Sequence, residues 1–435
     1  MFNPDVLIIG AGVAGMQASL LLAQAGRKVV LIEKEPLIGG QTIKYEEVYP
    51  NLECATCMVS PIQQDILQSS LIELHLLSEI ESVTGEAGNF SVTIAKKARY
   101  VSLENCIGCD ACFEPCPVEL DNPFEENLGR KKAISVPCPG ALPNVPAIDP
   151  IDCLRLNGKK KDCSACKDAC MFDAVDFDQS DETLEIKVGS ILVAVGFDML
   201  DLKPLTDFGY GTLPGVYSAM EFERLFAANG PTEGDLILRD GKTPTSIAVV
   251  HCVGRKEVGY CSGLCCMYST KLSHFLKNKL HDAEVREFHT DLCVPGKTHQ
   301  EFYLETQKLG VEFIRYRALQ VAGRNGGMQV NYEDENGEKK TQPVDMVILS
   351  QAMIPRPDSA ELAERLGIQR EERGFFATLN SSLSPVETGK EGIYVVGCAG
   401  GPMDIPESVA QAEAAVGKVL LSGMERIGEQ AGDSQ

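Results

Sequence analysis

The chain has 435 residues, too many for a single core, so two or three domains are expected. An apolar fraction of 44% is that of an ordinary globular protein, and a formal charge of −22 argues against nucleic acid as a partner, which would need a basic face to replace phosphate counterions. No stretch reaches the roughly 20 apolar residues of a membrane helix, and Met1-Phe2-Asn3-Pro4-Asp5 does not lead a charged segment into an apolar one, so a cytoplasmic chain without direct membrane insertion is expected.

The first predicted elements are a buried strand over Asp5–Ile9, a glycine turn, a helix over Met16–Ala25 and a second strand over Lys28–Ile32 that closes on Glu33. The turn reads Gly10-Ala-Gly12-Val-Ala14-Gly15. In such a unit the first glycine makes the tight turn, the second lets backbone approach a pyrophosphate, and the third lets helix pack on sheet. The helix N-terminus offers free N–H groups to phosphate. An acid at Glu33 accepts from ribose hydroxyls and favours an unphosphorylated adenosine ribose, with Lys34 beside it. The motif alone does not separate FAD from NAD.

Gly39-Gly40-Gln41 follows, and then Glu53-Cys54-Ala-Thr-Cys57 at the start of a predicted helix, where a thiol pKa would be lowered. Three readings of Cys54 and Cys57 stay open: a redox pair, ligands donated to a cluster, or packing. Short alternating segments at Ile80–Val83, Phe90–Ala95 and Leu184–Val188 predict a small antiparallel sheet, interrupted between residues 102 and 178.

That interruption is rich in thiols. The chain holds 17 cysteines, eight of them in two runs. Cys106-x2-Cys109-x2-Cys112-x3-Cys116-Pro117 has the bacterial ferredoxin spacing, in which three thiolates grip one cubane and the fourth turns to a second. Cys153, Cys163, Cys166 and Cys170 repeat its last intervals after a longer gap containing Lys159-Lys160-Lys161. The crossed pattern assigns one [4Fe–4S] cluster to Cys106, Cys109, Cys112 and Cys170, and another to Cys116, Cys153, Cys163 and Cys166. Structural zinc is the competing reading of paired Cys-x2-Cys. Cys138, in a proline-rich connection, has no partner at ligand spacing.

The strand Ile191–Gly196 returns to the first sheet, with Ala194 and Gly196 expected at the cofactor. A second Rossmann-like unit opens with a strand over Ser246–His251, a helix over Leu264–Lys279 and a strand over Glu284–Phe288. Its glycine fingerprint is missing, which makes a nicotinamide dinucleotide there doubtful. The turn instead carries Cys252, Cys261, Cys265 and Cys266, enough for a third cluster, with buried packing as the alternative. Near the C-terminus, Gly392–Gly397 is a last strand ending on Cys398.

The Gly39-Gly40 element, the Ala194–Gly196 strand end and the Gly397 strand resemble those of flavoproteins with two dinucleotide domains, and this favours FAD. That family usually has Asp where Cys398 stands, so the ribityl contact there is in doubt. Tyr49–Cys57, the double cysteine insertion, Tyr260–Met267 with Lys271, and Gly397–Ser408 together resemble the A-type subunit of heterodisulfide reductase and the related flavoprotein of the quinone-interacting membrane-bound oxidoreductase. The resemblance implies an α/β fold of two thioredoxin reductase-like Rossmann domains with an inserted α+β ferredoxin-like domain. The implied segments are residues 1–101, 179–243 and 351–435 for FAD, 102–178 for the insertion, and 244–350 for the degenerate second domain. It also implies FAD, several [4Fe–4S] clusters, and a place beside subunits of the heterodisulfide reductase B and C types or other iron–sulfur carriers, as a homodimer, passing or bifurcating electrons. By resemblance Lys271 tunes flavin N5. The residue-level alternative is a solvated lysine beside Lys277 and Lys279. The alternative functions are a self-contained NAD(P)H-dependent flavin or disulfide reductase and a zinc-bound scaffold.

Overall fold

The computed structural model describes residues 4–239, 241–324 and 327–432, with side chains to residue 422. It divides into two compact units: residues 1–43, 58–197 and 355–435 form the first, and 44–57 and 198–354 the second.

The first unit is built on a parallel five-stranded sheet in the order Ile393–Val395, Ser190–Val193, Val6–Ile9, Val29–Ile32, Ile72–His75. Successive side chains of a strand point to opposite faces. Val6 and Ile8 therefore enter one core with Met16, Leu22, Ala412 and Val416, while Leu7 and Ile9 enter another with Phe90, Ile94 and Leu366. Burial of each such aliphatic side chain contributes about 1.5–3 kcal/mol. These strands are uniformly apolar because both faces are covered. The second face is covered in part by an antiparallel sheet of Ser78–Glu86, Asn89–Lys96 and Glu182–Val188.

Between the last two of those strands the chain leaves and returns at one place. Val101 bridges Val175, the Ser102 N–H donates to the Ala174 carbonyl at 2.8 Å, and the Asp176 N–H donates to the Tyr100 carbonyl at 3.0 Å. The excursion has a small core of its own, made of Val101, Ala133, Ile134, Val145, Ile148 and Val175 packed with Cys116 and Cys153. It is also fastened to the host. The buried Arg99 guanidinium donates to the carbonyls of Val145 (2.6 Å) and Pro36 (2.5 Å), and the Ile38 N–H donates to the Leu142 carbonyl at 3.0 Å. Cys138 is buried against Leu37, Ile43 and Ala141.

The second unit carries a seven-stranded sheet in the order Val216–Ser218, Met346–Gln351, Ser246–Val253, Glu284–His289, Glu312–Arg324, Gly327–Asp334, Lys339–Val344. Neighbours among the first five strands are parallel, and the last two strands add antiparallel. The predicted strand–helix–strand opening is present as Ser246–Val253, Cys265–Lys279 and Glu284–His289. The unit is larger than the 244–350 expected. Residues 198–243 belong to it because Val216–Ser218 pairs with Met346–Gln351, and residues 44–57 join it as the hairpin Glu47–Val48/Glu53–Cys54. Neither pairing leaves a local sequence signal. Among the described residues no helix is long and apolar enough to cross a membrane.

Candidate functional site: a dinucleotide cradle and three groups of thiols

The glycine turn of the first unit is a place of close backbone approach. Gly10 has φ +101°, and a Cβ built on it would lie 2.5 Å from the Ala194 carbonyl oxygen; on Gly15 it would lie 1.9 Å from the Gly10 oxygen. Gly40 has φ +61°, and a Cβ there would lie 2.8 Å from the Gly12 Cα, while the Gly39 N–H donates to the Ala11 carbonyl at 2.8 Å. On the C-terminal side, a Cβ on Gly397 would lie 3.0 Å from that of Ala14, and the Gly397 N–H donates to the Gln411 carboxamide at 3.0 Å. The turn Gly10–Gly15, the Gly39–Gly40 turn, the strand end at Ala194 and the Gly397 turn therefore converge around the N-terminus of the helix Val13–Gln24. This cradle has backbone walls and unpaired N–H groups at one end, the arrangement a pyrophosphate requires.

The Glu33 carboxylate accepts from the Ala11 N–H at 2.8 Å and from the Glu35 N–H at 3.0 Å. Burial raises its pKa, with these amides opposing the rise. Each carboxylate oxygen keeps lone-pair capacity for a ribose hydroxyl. Lys34 turns outward to an exposed ion pair with Asp358 at 2.7 Å. Gln41 lies in the short helical turn Gly40–Lys44, and Gly196 has φ +74° with open space around it. The Cys398 thiol faces its own loop, donating to the Met403 carbonyl at 3.2 Å, and burial pushes its pKa up to about 11.

Thiols of the inserted segment gather across the two runs. Burial pushes the Cys112 thiol up to about 12, and Cys166, Cys106 and Cys170 are near enough to add to the rise. Cys166 has Cys116 and Cys153 around it, and burial pushes it up to about 11. Cys116, Cys153, Cys163 and Cys166 together line one small apolar hollow, with Ile134 and Ile148 also in its wall. Among the described residues no three Cys, His, Asp or Glu side chains stand at the spacing of a single metal ion. Thiols arranged around a hollow fit a polynuclear core.

In the second unit Cys252, Cys261, Cys265 and Cys266 lie within electrostatic reach of one another, and burial pushes both Cys265 and Cys266 up to about 12. Cys252 has φ +60°, at a register shift in its strand between Val250 and Val253. That conformation costs a non-glycine residue roughly 1–2 kcal/mol, so the thiol is turned out at an energetic expense met elsewhere in the fold. The Cys293 N–H donates to the Cys266 sulfur at 3.3 Å, and the Thr290 hydroxyl donates to the Cys252 sulfur at 3.1 Å. Sequence reasoning missed both, since neither lies at ligand spacing.

Cys54 and Cys57 form a disulfide with Cα atoms 5.3 Å apart, both exposed, where the strand Glu53–Cys54 enters the helix Ala55–Gln68. Lys271 is not the solvated lysine of the residue-level alternative; it is 1% exposed. Its amino group donates to both carboxylate oxygens of Glu223 (2.7 and 2.9 Å) and to the Glu47 carbonyl (3.0 Å), which commits all three of its N–H groups. Tyr268 flanks it at 4.7 Å, and Tyr45 and Phe226 each at 5.6 Å. Burial lowers its pKa while Glu223 opposes that.

Comparison with known proteins bears on this geometry. Residues 5–68 match the family model "FAD dependent oxidoreductase". The chain is 37% identical over 428 residues to the A-type subunit of the "H(2):CoB-CoM heterodisulfide,ferredoxin reductase" of Methanothermobacter marburgensis. It is 40% identical over 430 residues to an A-type iron–sulfur subunit (form 1) of the "CoB--CoM heterodisulfide reductase" of Methanopyrus kandleri. Each match covers 96% of this chain and 64% of the relative. The chain is thus similar to heterodisulfide reductase A-type subunits along nearly its whole length. It spans a little under two thirds of these relatives' length. In fold it is similar to Lactococcus lactis thioredoxin reductase, with a TM-score of 0.53 at 16% identity, covering 97% of this chain and all of that one. The Rossmann units of the chain are therefore of the thioredoxin reductase type in fold.

Proposed function

We propose that the chain is an electron-transfer component of a multisubunit oxidoreductase, holding FAD in the first unit's cradle, two [4Fe–4S] clusters in the inserted segment, and a third at Cys252, Cys261, Cys265 and Cys266. One observation carries the reading: four thiols drawn from both cysteine runs, Cys116, Cys153, Cys163 and Cys166, line a single hollow in a segment fastened to the unit that contains the dinucleotide cradle. When bound, the flavin exchanges electrons in pairs or singly and the clusters exchange them singly. The chain's own contribution is positional. The helix N-terminus and glycine turns orient the dinucleotide, Glu33 selects an unphosphorylated ribose, and the apolar walls around Cys116 and Cys153 exclude water from the sulfurs. The relatives' names mention heterodisulfide, ferredoxin and iron–sulfur, and partner subunits of the B and C type with single-electron carriers are the corresponding proposal. Substrate reduction then falls to those partners.

Anaerobic purification with flavin, iron, sulfide and zinc quantification tests this. One FAD with about twelve iron atoms is expected; about eight would remove the third cluster, and zinc without iron would defeat the reading. The exposed Cys54–Cys57 disulfide at a helix start favours a second activity, dithiol–disulfide exchange, as in a self-contained reductase. NAD(P)H oxidation by the isolated chain, abolished by Cys54→Ser, would establish it.

A further inference from the structure

Cys252 is set apart from the other cluster-forming thiols by what surrounds it. Its backbone is held at φ +60° and its sulfur accepts the Thr290 hydroxyl at 3.1 Å. The same hydroxyl oxygen lies 3.5 Å from Arg255 Nη1, and the guanidinium itself is within hydrogen-bonding reach of the Cys252 sulfur and beside Cys261. Asp291 fixes Arg255 through an ion pair at 2.8 Å. The next turn of the same loop presents the Cys293 N–H to Cys266. Two of the four thiols thus receive donors from the loop Thr290–Cys293, and one of them also faces a cation. The inserted segment has donors and a cation of its own: Cys170 accepts the Ala174 N–H at 3.3 Å, Cys166 accepts the Lys167 N–H, and Arg99 lies near Cys106. What it does not pair at any thiol, among the described residues, is a side-chain hydroxyl with a guanidinium, as Thr290 and Arg255 are paired at Cys252.

Donors and positive charge at cluster sulfurs stabilise the more negative, reduced form and so raise the reduction potential. A hydroxyl that accepts from a guanidinium donates more strongly than one that does not. We propose that Thr290 and Arg255 are positioning residues that raise the reduction potential of the cluster at Cys252, Cys261, Cys265 and Cys266. The proposal rests on the third-cluster reading above. Thr290 and Arg255 act through Cys252 and hold no iron themselves.

The test is a potentiometric titration of the anaerobically purified full chain, followed by the paramagnetic resonance of each cluster, for the wild type and for Thr290→Val, Thr290→Ser and Arg255→Gln. Thr290→Val and Arg255→Gln should each weaken the third cluster's reduction equilibrium about tenfold, which is ~59 mV for one electron. Thr290→Ser should retain the wild-type value, and the other two clusters should not move. Arg255→Gln keeps every thiol and the hydroxyl, so it stands as the measurement if Thr290→Val loses the cluster. A third cluster present but unmoved by Arg255→Gln, or shifted equally by Thr290→Ser and Thr290→Val, overturns the proposal and leaves the third-cluster reading intact. A wild type with about eight iron atoms overturns that reading and the proposal together.

Discussion

The two thiol-rich regions are built on opposite plans. In the inserted segment the sulfurs are themselves the core: Cys116 and Cys153 pack with Ala133, Ile134, Val145 and Ile148, and little regular structure holds the loops apart from them. In the second unit the thiols sit at the end of a finished seven-stranded sheet, on a turn between Ser246–Val253 and Cys265–Lys279, and the core beneath them is complete without them. With clusters bound as proposed, the first plan would tie folding to metal, since the binding energy of a ligand that requires the folded state is folding energy. The second would make metal an addition to a stable scaffold, where charge and hydrogen bonding have room to act on the sulfurs.

Four substitutions or conditions break or sharpen this contrast. Cys116→Ser should have the largest effect, removing about four of twelve irons and loosening the whole segment, measured as iron content and protease resistance of residues 101–175. If the crossed grouping is right, the resonance of the cluster at Cys106, Cys109, Cys112 and Cys170 persists; its loss in place of the other would refute that grouping. Lys271→Met leaves the fully buried Glu223 carboxylate unpaired, which should cost about 3–5 kcal/mol. Denaturant unfolding should register this in the second unit alone, and the added change Glu223→Leu should recover most of the loss.

His289 gives a smaller and pH-dependent effect. Burial, followed by the charges of His251 and Arg315, lowers its pKa from 6.5 to about 4, with Asp291 opposing. The unfolded chain therefore takes up a proton that the folded chain refuses, and stability falls as pH drops from about 6.5 toward 4. For a partly exposed ring the loss is about 1–2 kcal/mol after allowance for solvent. His289→Gln should flatten that part of the stability–pH curve, and an unchanged slope would contradict the assignment. Cys54→Ser with Cys57→Ser should have the smallest effect on the clusters: iron content in both regions is expected to stay as in the wild type, whereas a loss of about four irons would make these residues ligands.

Much of this architecture is readable from sequence because its requirements are local. Gly10, Gly12 and Gly15 are recognised by their spacing within one turn, although the close approach at Gly10 is to the distant Ala194, and both buried parallel sheets announce themselves as apolar runs such as Leu7–Ile9 and Ile247–Val250. What escaped depends on partners distant in sequence. Glu223 lies 48 residues from Lys271, Thr290 lies 38 from Cys252, and Cys293 lies 27 from Cys266. Nothing in the sequence around Lys271 distinguishes a buried ion pair from a solvated lysine on a helix that also bears Lys277 and Lys279. The hairpin Glu47–Cys54 is likewise invisible as a member of the second unit, because two-residue strands have no periodicity to detect.

The Arg99 staple bears on how electrons would travel. Many redox proteins carry a mobile head that swings between a loading and an unloading position, so that turnover is limited by a diffusive search. Here the guanidinium clasps the Pro36 carbonyl next to the Gly39–Gly40 turn and the Val145 carbonyl within the insert. With the cofactors bound as proposed, tunnelling length from the adenine-dinucleotide site to the nearest iron would be decided once, when the polypeptide folds, and traffic along that route would be governed by driving force instead of by the tumbling of a tethered arm.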